Sequence, residues 1–247
     1  MAAFVLVHGA WLGGWCYKRV AGLLRGAGHD VFTPTLTGLG ERAHLMSPSI
    51  SLNTHINDVL GVIQYEELSD IVLCGHSYAG AVISGVAEKA ADKIGALVFV
   101  DAFLPADGQS HMAAFAPELA QQMRQDARQN GEGYMLTPPS ADRVNLNAAD
   151  VAWVTAMCGK HPLACFEARI ALAGGRERVA RRIYIAATGW PSPFAAFAER
   201  FSQDPAWQVE RIDCGHLVML DRPQELADIL LTAAPVTACA APAAPSR

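Results

Sequence analysis

Six short apolar runs rich in β-branched residues alternate along this chain with longer stretches whose apolar residues recur every three or four positions. A strand buried on both faces reads as a continuous apolar run, whereas a helix packed on a sheet buries one stripe. The alternation restricts the chain to an α/β fold, a mostly parallel sheet of about six strands flanked by crossover helices. The predicted strands are Phe4–Val7, Asp30–Thr33, Ile71–Cys74, Ala96–Val100, Arg182–Ala186 and Trp207–Ile212. The predicted helices are Trp15–Arg25, Ser51–Glu67, Ala79–Ala90, Pro193–Phe201 and Pro223–Leu231, the last with Asp221 as a candidate N-cap.

One stretch breaks this rhythm. Residues 104–175 separate two strands that a single helix could join. They hold helical patterns at Met112–Gln129 and Ala148–Met157, a turn-rich Thr137-Pro138-Pro139-Ser140 link, and large apolar residues including Phe115, Met135, Trp153 and Phe166. We read them as a small helical cap, inserted before the penultimate strand and roofing the C-terminal strand ends. Residues 1–103 and 176–233 then form the core. The tail, 234–247, is low in complexity and carries three prolines, so disorder is expected there.

The chain has 247 residues, 51% hydrophobic and 17% charged, enough to bury one large core without division into separate domains. Its net charge of −5 contains no block of like charges, which makes nucleic acid and anionic membranes poor partners. No apolar run approaches the ~18 residues of a membrane span. The first residues lack the pattern of a secretory signal. Six cysteines (Cys16, Cys74, Cys158, Cys165, Cys214, Cys239) are scattered without CxxC pairing, so reduced thiols and a cytoplasmic setting are expected.

The chemistry is concentrated at strand ends. In Ile71-Val72-Leu73-Cys74-Gly75-His76-Ser77-Tyr78-Ala79-Gly80 a buried strand meets a serine with small residues two positions before and after it, then a helix. A sharp strand-to-helix turn of this kind lifts a hydroxyl above the sheet edge and needs small neighbours, here Gly75 and Ala79; the pattern is a nucleophile elbow, with Ala79 where glycine is commoner. The first strand runs into His8-Gly9-Ala10-Trp11-Leu12-Gly13-Gly14, a glycine-rich turn whose amides can point into a cavity. The backbone N–H groups of Ala10 and Tyr78 are the candidate oxyanion donors, Tyr78 also lying at a helix N-terminus. His8 reads as a structural hydrogen-bonding residue.

Of eight histidines, His29 and His44 fall in loops, His55 on a helix, and His76 beside the serine with its side chain expected to turn away. His216, in a Gly-His turn between the last strand and the final helix, suits a general base. The loop that often supplies the acid, Ala187-Thr188-Gly189-Trp190-Pro191-Ser192-Pro193-Phe194, contains no carboxylate. Asp101, ending the preceding apolar strand, is the candidate for orienting His216, with Glu199, Asp204 and Asp213 as competitors.

Together FVLVHGAW, TPTLTGLGERAHL, VLCGHSYAG, LVFVDAFLPADGQS and CGHLVMLDRP resemble small bacterial esterases of the α/β-hydrolase superfamily, relatives of plant methylesterases and hydroxynitrile lyases. The resemblance implies hydrolysis of bulky apolar esters and, in some members, carbamates. Members with the acid after the preceding strand are known, which maps that role onto Asp101. Hydroxynitrile lyases of this type carry a hydroxyl residue and a lysine where this chain has Gly9 and Leu217, so cyanohydrin cleavage is disfavoured.

The expected reaction passes through an acyl-enzyme on Ser77 and needs no metal or cofactor; no His-x-x-x-His helix or cysteine cluster suits zinc. The same groups would serve amide or carbamate hydrolysis or acyl transfer, and a non-hydrolytic receptor or lyase on this fold is the remaining rival. Trp11, Leu12, Phe103, Phe115, Trp153 and Leu217 are candidates for an apolar substrate-binding lining.

Overall fold

In the computed structural model, which describes residues 1–234, the strands in chain order are β1 (Ala3–Val7), β2 (Asp30–Phe32), β3 (Ile71–His76), β4 (Ile94–Val100), β5 (Met135–Leu136), β6 (His161–Pro162), β7 (Arg181–Ala187) and β8 (Gln208–Ile212). Six of them form one sheet in the order β2-β1-β3-β4-β7-β8, every neighbouring pair parallel. Beyond Ala234, the tail expected to be disordered lies outside the described residues.

The helices are α1 (Lys18–Gly26), α2 (Leu52–Tyr65), α3 (Ala79–Ala90), α4 (Pro117–Asn130), α5 (Val151–Met157), α6 (Leu163–Glu167), α7 (Gly175–Arg178), α8 (Ala195–Phe201), α9 (Val218–Asp221) and α10 (Pro223–Ala233). Strand residues alternate between two apolar clusters. Val5, Val7, Ile71, Leu73, Leu97 and Phe99 join residues of α2, α3 and α8. Phe4, Leu6, Val72, Cys74, Ala96 and Val98 join residues of α1 and α10. The chain crosses to opposite sides of β1 on leaving for β2 and returning to β3, and such reversals leave a crevice at the C-terminal strand ends.

Several boundaries differ from the sequence reading for local reasons. The first helix opens as a 3-10 turn at Gly14–Tyr17. β3 runs on through Gly75 and His76, which still pair with Phe99 and Val100 of β4. The stretch expected as one helix from Met112 divides, with a 3-10 turn at His111–Ala114 and α4 starting afresh with Pro117 in its first turn. The helix expected from Ala148 starts at Val151, because Asn147 Oδ1 accepts the Asp150 amide at 3.1 Å in a preceding turn. Asp221 does not cap the last helix. Arg222 holds that position, its backbone kept non-helical by Pro223, while the Asp221 carboxylate accepts the Asn147 and Gly215 amides.

Between β4 and β7 lie α4 to α7 and the short antiparallel β5–β6 ladder. No helix among the described residues is long and apolar enough to cross a membrane. The five cysteines of the described residues are free thiols.

Candidate active site

Three adjacent strands end in residues with left-handed backbones: Trp11 after β1 (φ 63°), Ser77 after β3 (φ 55°) and Asp101 after β4 (φ 40°). Each such residue costs about 1–3 kcal/mol and persists only where its surroundings hold it. Ser77 donates its amide to the Val100 carbonyl at 3.1 Å, and its own carbonyl accepts the amides of Gly80 and Phe103. Gly75 allows the turn to close, since a Cβ there would stand 2.8 Å from the Ala79 carbonyl oxygen. Asp101 is anchored in turn by its amide, which donates to Ile185 O at 2.7 Å.

His216 lies beyond β8, with its amide donating to Val144 O at 2.9 Å. Its Nε2 is 2.9 Å from Ser77 Oγ and its Nδ1 2.7 Å from Asp101 Oδ2. With Nδ1–H donating to the carboxylate, the Nε2 lone pair faces the serine hydroxyl. Among the described residues this is the only histidine within ion-pair distance of a carboxylate. Glu199 and Asp204 are exposed, and neither they nor Asp213 hydrogen-bonds His216 among the described residues.

Asp101 is 1% exposed, so its charge depends on the hydrogen bonds it accepts. Two come from the loop that lacks a carboxylate: Trp190 Nε1–H donates to Oδ2 and Ser192 Oγ–H to Oδ1, each at 2.8 Å. The Trp190 ring also stands 4.5 Å from the His216 ring. The sequence reading passed over both residues; the available signal was a loop without an acid but with an indole and a hydroxyl beside a strand end that has one. His76, expected to turn away from Ser77, places its ring 4.4 Å from that of His216 and bonds His216 O at 2.9 Å through Nε2.

Burial keeps the other inner imidazoles neutral. It lowers the pKa of His8 and His55 to about 4 and of His111 to about 3, and holds His76 and His161 well below the ordinary value. His8 braces the turn after β1: its Nε2 accepts the Leu36 amide at 3.0 Å and its Nδ1–H donates to Gly9 O at 2.8 Å. A side chain at Gly9 would put a Cβ 2.6 Å from His76 Nδ1 and 3.0 Å from Ser77 Cβ, so this turn approaches the serine only as glycine. The amides of Ala10 and Tyr78 donate to no other described residue.

Above Ser77 opens a cavity of about 780 Å³. Trp11, Leu12 and Leu217 lie on its wall together with Ala10, and the segment between β4 and β7 adds Pro138, Pro139, Leu146 and Cys158. On α5, Val151, Val154 and Thr155 face it at helical spacing, with Cys158 just beyond the helix end, and Trp153 is off that stripe. Trp153 instead meets Trp15 edge to face at 5.0 Å, beneath the Arg19 guanidinium. Phe103 packs its edge on His111 at 4.9 Å, and Phe115 stacks on Phe166. These three expected lining residues are therefore packing groups away from this cavity.

His55, His161 and Cys165 bring possible metal-ligand atoms within 4.8 Å of one another. Their hydrogen bonds do not suit a metal. The Trp11 amide donates to His161 Nδ1, leaving the proton of a neutral ring on the other nitrogen, and His55 binds Thr37 O and the Tyr78 hydroxyl through its two nitrogens.

The sequence model of the alpha/beta hydrolase family matches residues 4–229. A carbendazim hydrolyzing esterase from Nocardioides sp. (strain SG-4G) is 49% identical over 238 residues, spanning 93% of this chain and 98% of that protein. Putative methylesterase 14 of Arabidopsis thaliana is 26% identical, over 94% of this chain and 72% of its own. Among solved structures, an extracellular alpha/beta-hydrolase from a Paenibacillus species superposes with a TM-score of 0.82 at 24% identity, over 95% of this chain and 99% of that one. Tomato methylketone synthase I gives 0.75 at 23%, over 94% and 96%. With the family model matched along nearly the whole described chain and a 49%-identical esterase covered almost end to end, the chain belongs to the alpha/beta hydrolase family and is an esterase.

Proposed function

We propose that the chain hydrolyses esters and carbamates of small apolar molecules through an acyl-enzyme on Ser77, with His216 as base and Asp101 as the acid that orients it. The observation that carries this reading is the unbroken path from Ser77 Oγ through the two His216 nitrogens to a buried carboxylate, at 2.9 and 2.7 Å. His216 Nε2 takes the hydroxyl proton as Oγ attacks the carbonyl carbon. Asp101, itself buried, then faces a charged imidazolium, and the attraction is stronger there than in bulk water. The oxyanion is met by the Ala10 and Tyr78 amides. As the intermediate collapses, the proton on Nε2 passes to the leaving alcohol or amine. Water, deprotonated by the same nitrogen, attacks the acyl carbon and frees Ser77.

Trp190 and Ser192 are positioning residues in this scheme. Their donors hold the Asp101 carboxylate in the plane His216 needs, and the Trp190 ring face is available to the imidazolium. The apolar cavity wall supports the choice of apolar substrates. The carbamate class comes to this chain from the relative named for carbendazim hydrolysis.

The test is turnover of a panel of aryl esters beside matched aryl carbamates by the wild type and Ser77→Ala. The wild type is expected to turn over both classes, with the variant reduced ~10⁴-fold or more in kcat/KM. A variant retaining more than about one hundredth of wild-type kcat/KM would remove Ser77 from this role.

A further inference from the structure

A second cavity, of about 610 Å³, opens between α7, α8 and the chain following β4, and shares no lining residue with the cavity at Ser77. Three arginines line it, Arg176 on α7, Arg182 near the start of β7 and Arg200 on α8, together with the acidic residues Glu177 and Asp204. Their counter-charges are poorly placed. Arg176 Nε is buried without a hydrogen-bond partner, and its nearest carboxylate, Glu177, is 3.9 Å away and 60% exposed. The Arg182 guanidinium lies 5.6 Å over the Trp207 ring, and that of Arg200 5.7 Å over Phe201. Among the described residues no carboxylate comes within ion-pair distance of either. Asp204, also on the rim, bonds the Ala206 amide at 2.9 Å.

Burial makes the Arg176 cation harder to hold than usual; Glu177 and Glu88 favour the charge, and Arg200 and Arg182 oppose it. The three arginines outnumber Glu177 and Asp204 on this lining, in a chain of net charge −5. They repel one another, and an anion between them removes that cost. A guanidinium fork presents parallel N–H donors that match a carboxylate, and the half-buried Phe197 ring on the same wall offers apolar surface.

We propose that this cavity binds a small organic anion of the aromatic carboxylate class, with its carboxylate among Arg176, Arg182 and Arg200 and its ring against Phe197. The Phe197 side chain favours this class over a bare inorganic anion, which would leave it unused. The site is independent of the chemistry at Ser77.

Isothermal titration calorimetry with benzoate, acetate and inorganic phosphate tests this on the wild type, Arg200→Met and the Arg182→Met/Arg200→Met pair. Arg200 is exposed on α8 and contributes nothing to Ser77, so its variant is expected to keep the wild-type thermal transition and ester turnover. Saturable benzoate binding at one site is expected, tighter than that of acetate or phosphate. Arg200→Met should weaken it about tenfold, as loss of a charge-assisted contact does, and the double variant should weaken it further. Absence of saturable binding overturns the proposal. So does benzoate affinity unchanged in Arg200→Met, which would place the ligand elsewhere, or phosphate binding as tight as benzoate.

Discussion

At the scale of single residues, the proposed triad turns on one buried carboxylate, that of Asp101. In the proposed triad Asp101 orients His216 and is itself held by the Trp190 and Ser192 donors, so substitutions at Asp101 and Trp190 should be graded. Asp101→Asn, which favours the wrong imidazole tautomer, should lower kcat by orders of magnitude, up to ~10⁴. Trp190→Phe keeps an aromatic ring beside His216 but removes the donor. With a hydrogen bond to a charged group contributing about 1.5–3 kcal/mol, kcat should fall ~10-fold or more while KM stays near its wild-type value. Steady-state kinetics on one aryl ester checks the order; equal kcat for Trp190→Phe and wild type would reduce the indole to packing. Glu199→Gln and Asp204→Asn, on exposed side chains, should do little. Ser77, His216 and Asp101 could be singled out from sequence because each follows a recognisable strand or turn. Trp190 and Ser192 could not, since nothing in chain spacing says which loop donor reaches a carboxylate some ninety positions away.

At the scale of elements, the segment between β4 and β7 holds His216, the proposed base, as well as shaping the cavity. His216 N–H donates to Val144 O, and Gly215 fits so closely under Asn145 that a Cβ there would stand 2.0 Å from its carbonyl oxygen. Gly215→Ala should therefore push the two apart and lower kcat while the sheet stays folded, checked by kinetics alongside thermal melting; unchanged kcat would free the turn from this brace. Thr155 faces the cavity from an exposed position on α5. Thr155→Trp should cut kcat/KM for naphthyl esters ~10-fold and leave phenyl acetate within about twofold, a pocket contact changing discrimination by about 1–3 kcal/mol. Equal losses for both substrates would place the substrate elsewhere. The strands and main helices were legible because burial on two faces and burial of one stripe leave different periods in the sequence. The cavity wall was less so. Phe103, Phe115 and Trp153 are large and apolar in the right segments, yet which way each points depends on neighbours that only the folded chain brings together.

For the molecule as a whole, five buried histidines, His8, His55, His76, His111 and His161, resist protonation in the fold. In the unfolded chain each takes up a proton near pH 6.5. Their depressed folded values mean that stability is fully present above that pH and is lost as pH falls towards about 4, each contributing up to about 1.4 kcal/mol per pH unit in that window. Calorimetric melting should show Tm dropping steeply between pH 6.5 and 5, and a flat Tm across that range would contradict the burial of these rings as neutral groups. The central claim, that Ser77 is the activated nucleophile, is tested most directly on the intact protein by reaction with a fluorophosphonate followed by peptide mass spectrometry. One adduct per chain is expected, on the peptide carrying Ser77, absent in Ser77→Ala and formed far more slowly in Asp101→Asn. An adduct on another residue, or labelling undiminished in Ser77→Ala, would contradict it.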